Sequence, residues 1–349
     1  MLGLVTDDTL PGDASSSTIL GVGQAGSVKV RAPGDELLGK LVIERYVIEA
    51  QLGKGAFGSV YRGYHAALRR PVAIKVLHAH LLHVPKILQR FRREAELAAR
   101  LAHINVAGVL DVGETADGRQ LIVLELAPGR PLTELLGEPL PAPRVISLVG
   151  QILRGLEHAH EAGLVHRDLK PDNIIVEARA DGAEIPRIVD FGIAVLADQD
   201  EMFGGTRLTA TGQMIGTPLY MAPEQARLDA VDHRADLFAL GVIVYQMLAG
   251  MTPFSGSPVD VALANMGKDP PSIADRAAVD VDPLLERFTR KLMARDVSDR
   301  FASARAALAV LELIGRDPEA ASQVLGGMNA EKAAAVVALP PPPTKGRGW

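Results

Sequence analysis

Cysteine is absent from this chain of 349 residues, and aromatic side chains account for only 4% of it. Without cysteine the protein can form no disulfide framework, no thiolate zinc site and no thiol nucleophile. Apolar residues nevertheless make up 48% of the sequence. We therefore expect a globular protein whose core is filled mainly by aliphatic side chains.

A strong net charge and a long apolar run are also missing. Lys and Arg number 37 against 42 Asp and Glu, a net charge of −5, which argues against nucleic acid as the main partner. The longest nearly continuous apolar run, 237–249, contains Gln246 and is shorter than the roughly 18 residues that indicate a membrane span. The first residues also lack the features of a signal peptide, so we expect a cytoplasmic protein with no membrane span.

The length allows two or three domains, or one large domain with tails, at roughly 100 to 200 residues per domain. Residues 1–42 show no period of two or of 3.6, which predicts a flexible leader. Short β-rich runs continue to residue 126. Helical patterns then follow at 145–162, 236–250, 282–294 and 302–314. The segment 316–349, which ends in an Ala- and Pro-rich stretch, is predicted to be a flexible tail.

A glycine-rich motif opens the β-rich part, where Gly53, Gly55, Gly58 and Val60 match the pattern G-x-G-x-x-G-x-V. Glycine lets the backbone turn tightly and bring its N–H groups close to phosphate oxygens. A dinucleotide-binding motif would need a helix to begin at the last glycine, but here a β-rich run continues. The motif therefore predicts the turn of a β-hairpin, and a plain hairpin without a ligand is the alternative if the motif is taken alone.

The strand pattern 72–77 places Lys75 on one face among apolar neighbours. A lysine in a strand is usually an exposed edge charge, unless the fold supplies an opposite charge. The next helix offers one, because Glu94 falls on its inward apolar stripe. We predict that Lys75 and Glu94 form an ion pair that aims the lysine at a phosphate.

Two further segments concentrate polar groups. Residues 166–173 have the sequence His-Arg-Asp-Leu-Lys-Pro-Asp-Asn, a density of charged groups that is typical of a functional loop. The triplet 190–192, Asp-Phe-Gly, taken singly is more often a chance match or a turn than a metal site. The order of the motifs along the chain is more informative: a glycine loop, a strand lysine, a helix glutamate and then these two segments. Together they indicate a phosphate clamp, a base and two oxygen ligands that suit Mg²⁺.

Taken together, these motifs resemble the eukaryotic-type serine/threonine protein kinases, and most closely their bacterial members. The resemblance runs from about residue 43 to 315 and includes Glu224 within Ala-Pro-Glu, Asp236 and Arg300. It implies an α+β, protein-kinase-like bilobed fold, with a small antiparallel β-sheet lobe and one key helix over about 43–126 and a larger, mainly helical lobe over about 127–315. It also implies a Glu224–Arg300 ion pair, while Asp236 should either brace the catalytic loop or cap its own helix.

The resemblance also implies roles for individual residues. Asp168 would accept the proton of the substrate hydroxyl, and Lys170 would steady the γ-phosphate. Lys75 would hold the α- and β-phosphates, oriented by Glu94. The implied ligands of Mg²⁺, with Mn²⁺ as an alternative ion, are Asn173 and Asp190. The implied contacts of ATP, besides Lys75, are Leu52, Gly53, Gly55, Gly58, Val60, Ala73, Glu125, Leu126 and Ile175.

The activity implied by the resemblance is transfer of the γ-phosphate of Mg-ATP to Ser or Thr hydroxyls of protein substrates, with Thr217 on the substrate platform. Thr209 and Thr211 lie where bacterial relatives carry a pair of phosphorylated threonines, and Arg167 supplies a cation that a phosphate could neutralise. We therefore expect autophosphorylation there, with polar residues of a mobile loop as the alternative. Dimerisation through the β-rich lobe is a further possibility.

Two other functions stay open at this point. A pseudokinase scaffold would normally lack Lys75, Asp168 or Asp190, and all three are present. A small-molecule phosphotransferase of a related fold would generally lack the long segment that ends in Ala-Pro-Glu. We therefore expect a protein kinase, with a catalytically weak pseudokinase as the alternative.

Overall fold

The computed structural model describes residues 36–55, 57–191, 218–277 and 280–326, together with the backbone of 21–22. These residues form the two lobes that the sequence predicts, a β-rich lobe followed by a mainly helical one. The chain crosses between the lobes just after Glu125.

The β-rich lobe is built on one curled antiparallel sheet. The strands of this part of the chain are β1 (Gly21–Val22), β2 (Leu41–Val42), β3 (Tyr46–Lys54), β4 (Gly58–His65), β5 (Pro71–Leu77), β6 (Val109–Glu114) and β7 (Gln120–Glu125). The sheet has the order β2-β3-β4-β5-β7-β6, and β1 lies outside it. The hairpin predicted at the glycine-rich motif is confirmed as β3–β4.

The two edges of this sheet meet through side chains. Ile43, in the turn between β2 and β3, lies so close to β6 that a Cβ on Gly113 would be 2.4 Å from its Cγ2. Only glycine fits at that point without a shift of the neighbouring chain. Beside it, Arg45 Nη1 donates a hydrogen bond to Asp111 Oδ2 at 2.8 Å. Side chains at the start of β3 and in the turn before it therefore contact β6.

The alternation along β5 has the consequence predicted from the sequence. Val72, Ile74 and Val76 pack in one apolar cluster, whereas Ala73 and Leu77 pack in a second one. The helix α1 (Pro85–Ala98) covers the second cluster. The residues that α1 buries there are Ile87, Phe91 and Ala95. The face of β5 that carries Lys75 is therefore the face that α1 covers.

The helical lobe begins with short strands and then becomes mostly α-helical. Its strands are β8 (Ala127–Pro128), β9 (Arg130–Pro131), β10 (Ile174–Ala178) and β11 (Glu184–Ile188). Its helices are α2 (Ala142–Glu161), α3 (Pro223–Arg227), α4 (Arg234–Ala249), α5 (Pro258–Gly267), α6 (Ile273–Arg276), α7 (Pro283–Leu292), α8 (Ala304–Arg316) and α9 (Pro318–Gly326). Among the helices of the described ranges, none is long and apolar enough to cross a membrane.

Helix α4 is the centre of the helical lobe. All of its residues except Arg234 and Gln246 are buried. A helix that is apolar on every side belongs inside a core, which explains why this stretch is a nearly continuous apolar run in the sequence. The predicted helices are confirmed as α2, α4, α7 and α8, with small shifts at their ends. The helix α2, for example, already begins at Ala142, because Pro143 lies in its first turn, where proline is tolerated.

Packed structure extends past both ends of the predicted domain. We expected a flexible leader up to residue 42, but Leu37 is only 2% exposed and packs with Val42 and Ile48. We expected a flexible tail from residue 316, but α9 buries Ala321 in the core of the helical lobe. These expectations are wrong for 37–42 and 318–326, because one or two anchoring side chains leave no periodic pattern in a sequence.

A buried ion pair joins two parts of the helical lobe. Arg300 Nη1 and Nη2 donate to the two carboxylate oxygens of Glu224 at 2.6 Å and 2.7 Å. The Arg300 side chain has no exposed surface, and it also donates to the carbonyl oxygens of Ala294 and Arg234. The predicted Glu224–Arg300 pair is therefore confirmed, and it ties α3 to the chain segment that precedes α8.

Removing one partner of this pair should destabilise the protein strongly. We expect Arg300→Met to lower the free energy of unfolding by about 3 to 5 kcal/mol, because Glu224 would be left buried and unpaired. Urea denaturation followed by circular dichroism measures this. The matched control is Arg154→Ala, which breaks the half-exposed pair with Glu312 and should cost at most about 1 kcal/mol. Equal losses in the two variants would contradict the prediction.

Candidate active site

The glycine-rich loop lies at the tip of the β3–β4 hairpin. Within it, Gly53 pairs with Val60 across the hairpin, and Gly55 N–H donates to the carbonyl of Gly58 at 2.8 Å. A Cβ on Gly58 would lie 2.3 Å from the carbonyl oxygen of Val76, so glycine is required for β4 to lie this close to β5. Because a strand follows the last glycine instead of a helix, the dinucleotide-binding alternative is excluded.

A histidine to which the sequence assigned no functional role holds this loop in place. The Nε2 atom of His78 lies 2.9 Å from the carbonyl oxygen of Gly55, and His78 N–H donates to the carbonyl of Phe57. Burial lowers the pKa of His78, although its bond to Gly55 opposes that effect. The sequence signal was the position of His78 directly after β5, where a side chain can reach back to the hairpin.

The residues predicted to enclose the adenine come together in one apolar cluster. Val60 and Ala73 from the β-rich lobe pack in the same cluster as Ile175 from the helical lobe. Leu52 and Leu126 pack at the border of this cluster, and both are only partly buried. An apolar cleft between two lobes, lined by residues of both, suits a flat aromatic ring system.

The link between the lobes carries the polar edge of this cleft. Glu125 ends β7, and its backbone N–H donates to the carbonyl of Gly108 at 2.9 Å. The predicted contribution of Glu125 to adenine binding therefore narrows to its carbonyl group. Leu126 follows it in the connection to β8.

The catalytic loop, residues 166–173, is held in place by a buried carboxylate. Asp236 of α4 is 1% exposed and accepts hydrogen bonds from the backbone N–H groups of His166 and Arg167, both at 2.8 Å. His160 Nε2 lies 2.8 Å from the same carboxylate. Burial would raise the pKa of Asp236, but the hydrogen bond and charge of His160 outweigh it and lower the pKa. Asp236 thus braces the loop, and the alternative of a helix cap is excluded.

Within the loop, three predicted residues contact one another. Lys170 Nζ donates to Asp168 Oδ2 at 3.0 Å, and Asn173 Nδ2 donates to the backbone carbonyl of Asp168 at 2.9 Å. The side chain of Asp168 is one third exposed, whereas Lys170 and Asn173 are buried. A carboxylate that is open on one side and flanked by an ammonium group can accept a proton from a hydroxyl group that lies beside it.

The predicted ion pair between Lys75 and Glu94 is wrong for this structure. Lys75 Nζ instead donates to Asp190 Oδ1, and both side chains are nearly fully buried. Glu94 does lie on the inward side of α1, as its place in the helix predicts, but its Oε2 atom is buried with no hydrogen-bond partner. The apolar periodicity of the sequence determines which face of α1 carries Glu94, but it does not determine how far α1 lies from β5.

The unpaired position of Glu94 changes its acidity. Burial raises the pKa of Glu94 to about 7, and the positive charges of Arg167 and Lys75 only partly oppose the shift. At neutral pH the carboxyl group therefore lies close to the midpoint of its titration. The pKa of Asp190 is lowered instead. Burial acts to raise this pKa as well, but the charge and the hydrogen bond of Lys75 outweigh the effect of burial.

Two oxygen donors in the site suit a hard divalent cation. The Oδ1 atom of Asn173 is buried without a hydrogen-bond partner, and the carbonyl of Asn173 accepts from Val189 N–H, next to Asp190. In the described part of the chain there is no cluster of three or more His, Asp or Glu residues that could hold a metal alone. One carboxylate and one amide that share the ion with phosphate oxygens is the arrangement that Mg²⁺ usually adopts.

The substrate side of the site is described only in part. Thr209, Thr211 and Thr217 lie outside the described residues, as does Gly192. The chain that follows them is bound to the catalytic loop through Gln225, whose Nε2 donates to the carbonyl of Arg167 at 2.8 Å. The role of Gln225 was not predicted, since the sequence shows only that it follows Ala-Pro-Glu.

Comparisons with known proteins agree with this site. Residues 46–310 match the family model described as the protein kinase domain. The chain is 40% identical over 287 residues to the serine/threonine-protein kinase pkn3 of Myxococcus xanthus, covering 81% of this chain and 52% of that protein. It is 38% identical over 288 residues to PknL of Mycobacterium bovis, covering 81% of this chain and 69% of PknL.

The solved kinase domain of PknI from Mycobacterium tuberculosis superimposes with a TM-score of 0.60 at 27% identity, over 78% of this chain and 97% of that domain. The chain belongs to the protein kinase family, and pkn3 and PknL, to which it is similar, are serine/threonine-protein kinases of bacteria. It spans about half the length of pkn3 and, at 36%, about a third of the length of Pkn1 of Myxococcus xanthus.

The raised pKa of Glu94 predicts a stability that depends on pH. Between pH 4.5, the usual pKa, and about 7, the folded protein keeps a proton that the unfolded chain releases, so stability falls as the pH rises through this window. Glu94→Gln removes this effect. We expect the variant to exceed the wild type by up to about 3 kcal/mol at pH 8 and to match it at pH 4.5.

Urea denaturation at a series of pH values measures this difference. Glu96→Gln, an exposed position on the same helix, is the matched control and should give no gain that depends on pH. A Glu94→Gln gain of the same size at both ends of the pH range would show that the carboxyl group does not titrate as inferred.

Proposed function

We propose that the chain transfers the γ-phosphate of Mg-ATP to Ser or Thr hydroxyls of proteins. The observation that carries this proposal is the contact of Asp168 with both Lys170 and Asn173, on a loop braced by Asp236. This arrangement supports a proton acceptor, a cation for the transferred phosphate and a metal ligand within one short segment.

In phosphoryl transfer the protein itself performs little covalent chemistry. Holding the hydroxyl and the phosphate in line can contribute roughly 7 to 11 kcal/mol toward lowering the barrier. Asp168 orients the attacking hydroxyl and takes up its proton, while Lys170 keeps the γ-phosphate oxygens in place. A bound Mg²⁺, or Mn²⁺ as an alternative, would be held by Asn173 and Asp190 and would neutralise charge on the phosphate oxygens.

Binding of the nucleotide requires the ion pair between Lys75 and Asp190 to separate. Its two members would then serve different partners, Lys75 the α- and β-phosphates and Asp190 the metal ion. The short distance between them supports this exchange, because each is already placed beside the site of its new partner. Glu94 would orient Lys75 once α1 brings it closer to β5.

The choice of protein hydroxyl groups as acceptors is supported by similarity. The relatives that match over most of this chain carry the name serine/threonine-protein kinase. The pseudokinase alternative loses weight, since the three side chains that such proteins commonly lack are present and Lys75 and Asp190 are in contact. Dimerisation through the β-rich lobe stays a prediction.

Removing the proposed metal ligand or the phosphate lysine should abolish transfer. We expect Asp190→Asn and Lys75→Met each to lower the rate of phosphate incorporation by at least about 100-fold, because the first removes the carboxylate that would hold the metal ion and the second removes the cation that would hold the phosphates. Labelled ATP with a generic basic protein as acceptor measures this. Thermal denaturation shows whether the variants stay folded, and near-normal turnover of either folded variant would defeat the assignment.

We also propose that Thr209 and Thr211 are autophosphorylated and that Arg167 binds the resulting phosphate. Support comes from the position of Arg167, which directly precedes Asp168 in the catalytic loop. The backbone of Arg167 there has a positive φ of 64°. A phosphate near this guanidinium would order the chain around it through charge-assisted hydrogen bonds.

A variant that lacks both threonines tests this regulation. After phosphatase treatment and incubation with ATP, the wild type should regain activity, whereas Thr209→Ala/Thr211→Ala should stay several-fold lower. The matched control is Thr206→Ala, a neighbouring threonine that should not prevent recovery. Mass spectrometry locates the phosphates, and full recovery of activity in the double variant would refute the proposal.

A further inference from the structure

At the link between the lobes lies a group of four charged side chains, which we call the hinge cluster: Arg70, Glu125, Glu177 and Arg187. Arg70 precedes β5, and Glu125 ends β7, so both belong to the β-rich lobe. Glu177 and Arg187 lie on β10 and β11, so both belong to the helical lobe. The cluster therefore spans the two lobes next to the adenine cleft.

Arg187 lies between two carboxylates without a hydrogen bond to either. Its Nη1 atom is 3.8 Å from Glu125 Oε2, and its Nη2 atom is 3.7 Å from Glu177 Oε2. Both distances exceed the usual range for a hydrogen bond. Arg187 Nε and Glu177 Oε2 are also buried with no hydrogen-bond partner. A guanidinium whose side chain is only 20% exposed and whose Nε atom has no partner gains by moving toward either carboxylate.

The two carboxylates differ in how they move. Glu177 lies on the strand paired with β11, and that hairpin is fastened to α2 by Arg144, which donates to both oxygens of Glu184 at 2.7 Å. Glu125 moves with the β-rich lobe, because its Oε1 accepts from Arg70 at 2.8 Å. A rotation of the lobes therefore changes the distance from Arg187 to Glu125 and leaves the distance to Glu177 unchanged.

Arg187 is also adjacent to the nucleotide site without being part of it. In the pairing of β10 with β11 it lies opposite Ile175, which packs in the adenine cluster. Arg187 precedes Asp190 by three residues along the chain. A change in its partner can therefore be transmitted to the cleft through the backbone of the hairpin.

We infer that Arg187 is a positioning residue that exchanges its place between Glu177 and Glu125 for a hydrogen-bonded pair with Glu125 when the lobes close on the nucleotide. The closed state then contains a short Arg187–Glu125 ion pair that the open state lacks. Competition from Glu177 sets how strongly this pair favours closure. The inference rests on the proposed function, because it takes Mg-ATP as the ligand on which the lobes close.

Titration calorimetry with Mg-ATP on the whole chain tests the exchange. We expect Arg187→Gln to raise the dissociation constant about threefold to tenfold, since the closed state loses its ion pair. We expect Glu177→Gln to lower it about twofold to threefold, because Arg187 is released to Glu125. In the double variant the gain from Glu177→Gln should disappear, which identifies Arg187 as the residue through which it acts.

A matched control separates this role from a purely structural one. Arg144→Gln loosens the same hairpin at its other end, away from the hinge, and should lower the melting temperature without changing the dissociation constant. Equal affinities in all variants, or weaker binding by both Arg187→Gln and Glu177→Gln, would overturn the inference alone. Failure of the wild type to bind Mg-ATP would instead overturn the proposed function, and the inference with it.

Discussion

The carboxylate of Asp236 is the interaction on which the geometry of the site depends. It belongs to α4, the helix that is buried on nearly every side, and it accepts the backbone N–H groups of the catalytic loop. A loop tied to the most rigid element of a lobe keeps its position although its own residues are polar. The positive φ values of Arg167 and Asp190, 64° and 60°, are held against their intrinsic cost by these surroundings.

The site combines a buried ion pair with polar atoms that are buried without a hydrogen-bond partner. Lys75 and Asp190 neutralise each other, whereas Glu94 and Arg187 lie near opposite charges without a hydrogen bond to them. Buried polar groups without a hydrogen-bond partner lower the stability of the fold. They are retained where the function of the protein requires a side chain to change its partner. The two lobes thus meet at groups that have more than one favourable arrangement, which is what a cleft that opens and closes requires.

Local patterns predicted the strands and helices, whereas the bilobed fold and the roles of the site residues came from the resemblance to protein kinases. The alternation in β5 and the apolar run of α4 sufficed, because burial on one face or on all faces leaves a direct mark on the sequence. The partner of Lys75 could not be predicted, because periodicity determines a face and not a distance between elements. The bond of His78 to the glycine loop and the packing of Ala321 rest on single long-range contacts, which no local pattern records.

The contact between Ile43 and Gly113 restricts how the β-rich lobe can move. An open sheet can deform by sliding its strands past one another, but this one is joined at its two edges, and sliding would drive the Ile43 side chain into β6. Shear between the strands of the sheet is therefore opposed, and the sheet moves as one unit. Rotation about the short link that follows Glu125 therefore carries the glycine loop toward or away from the catalytic loop together with the rest of the sheet.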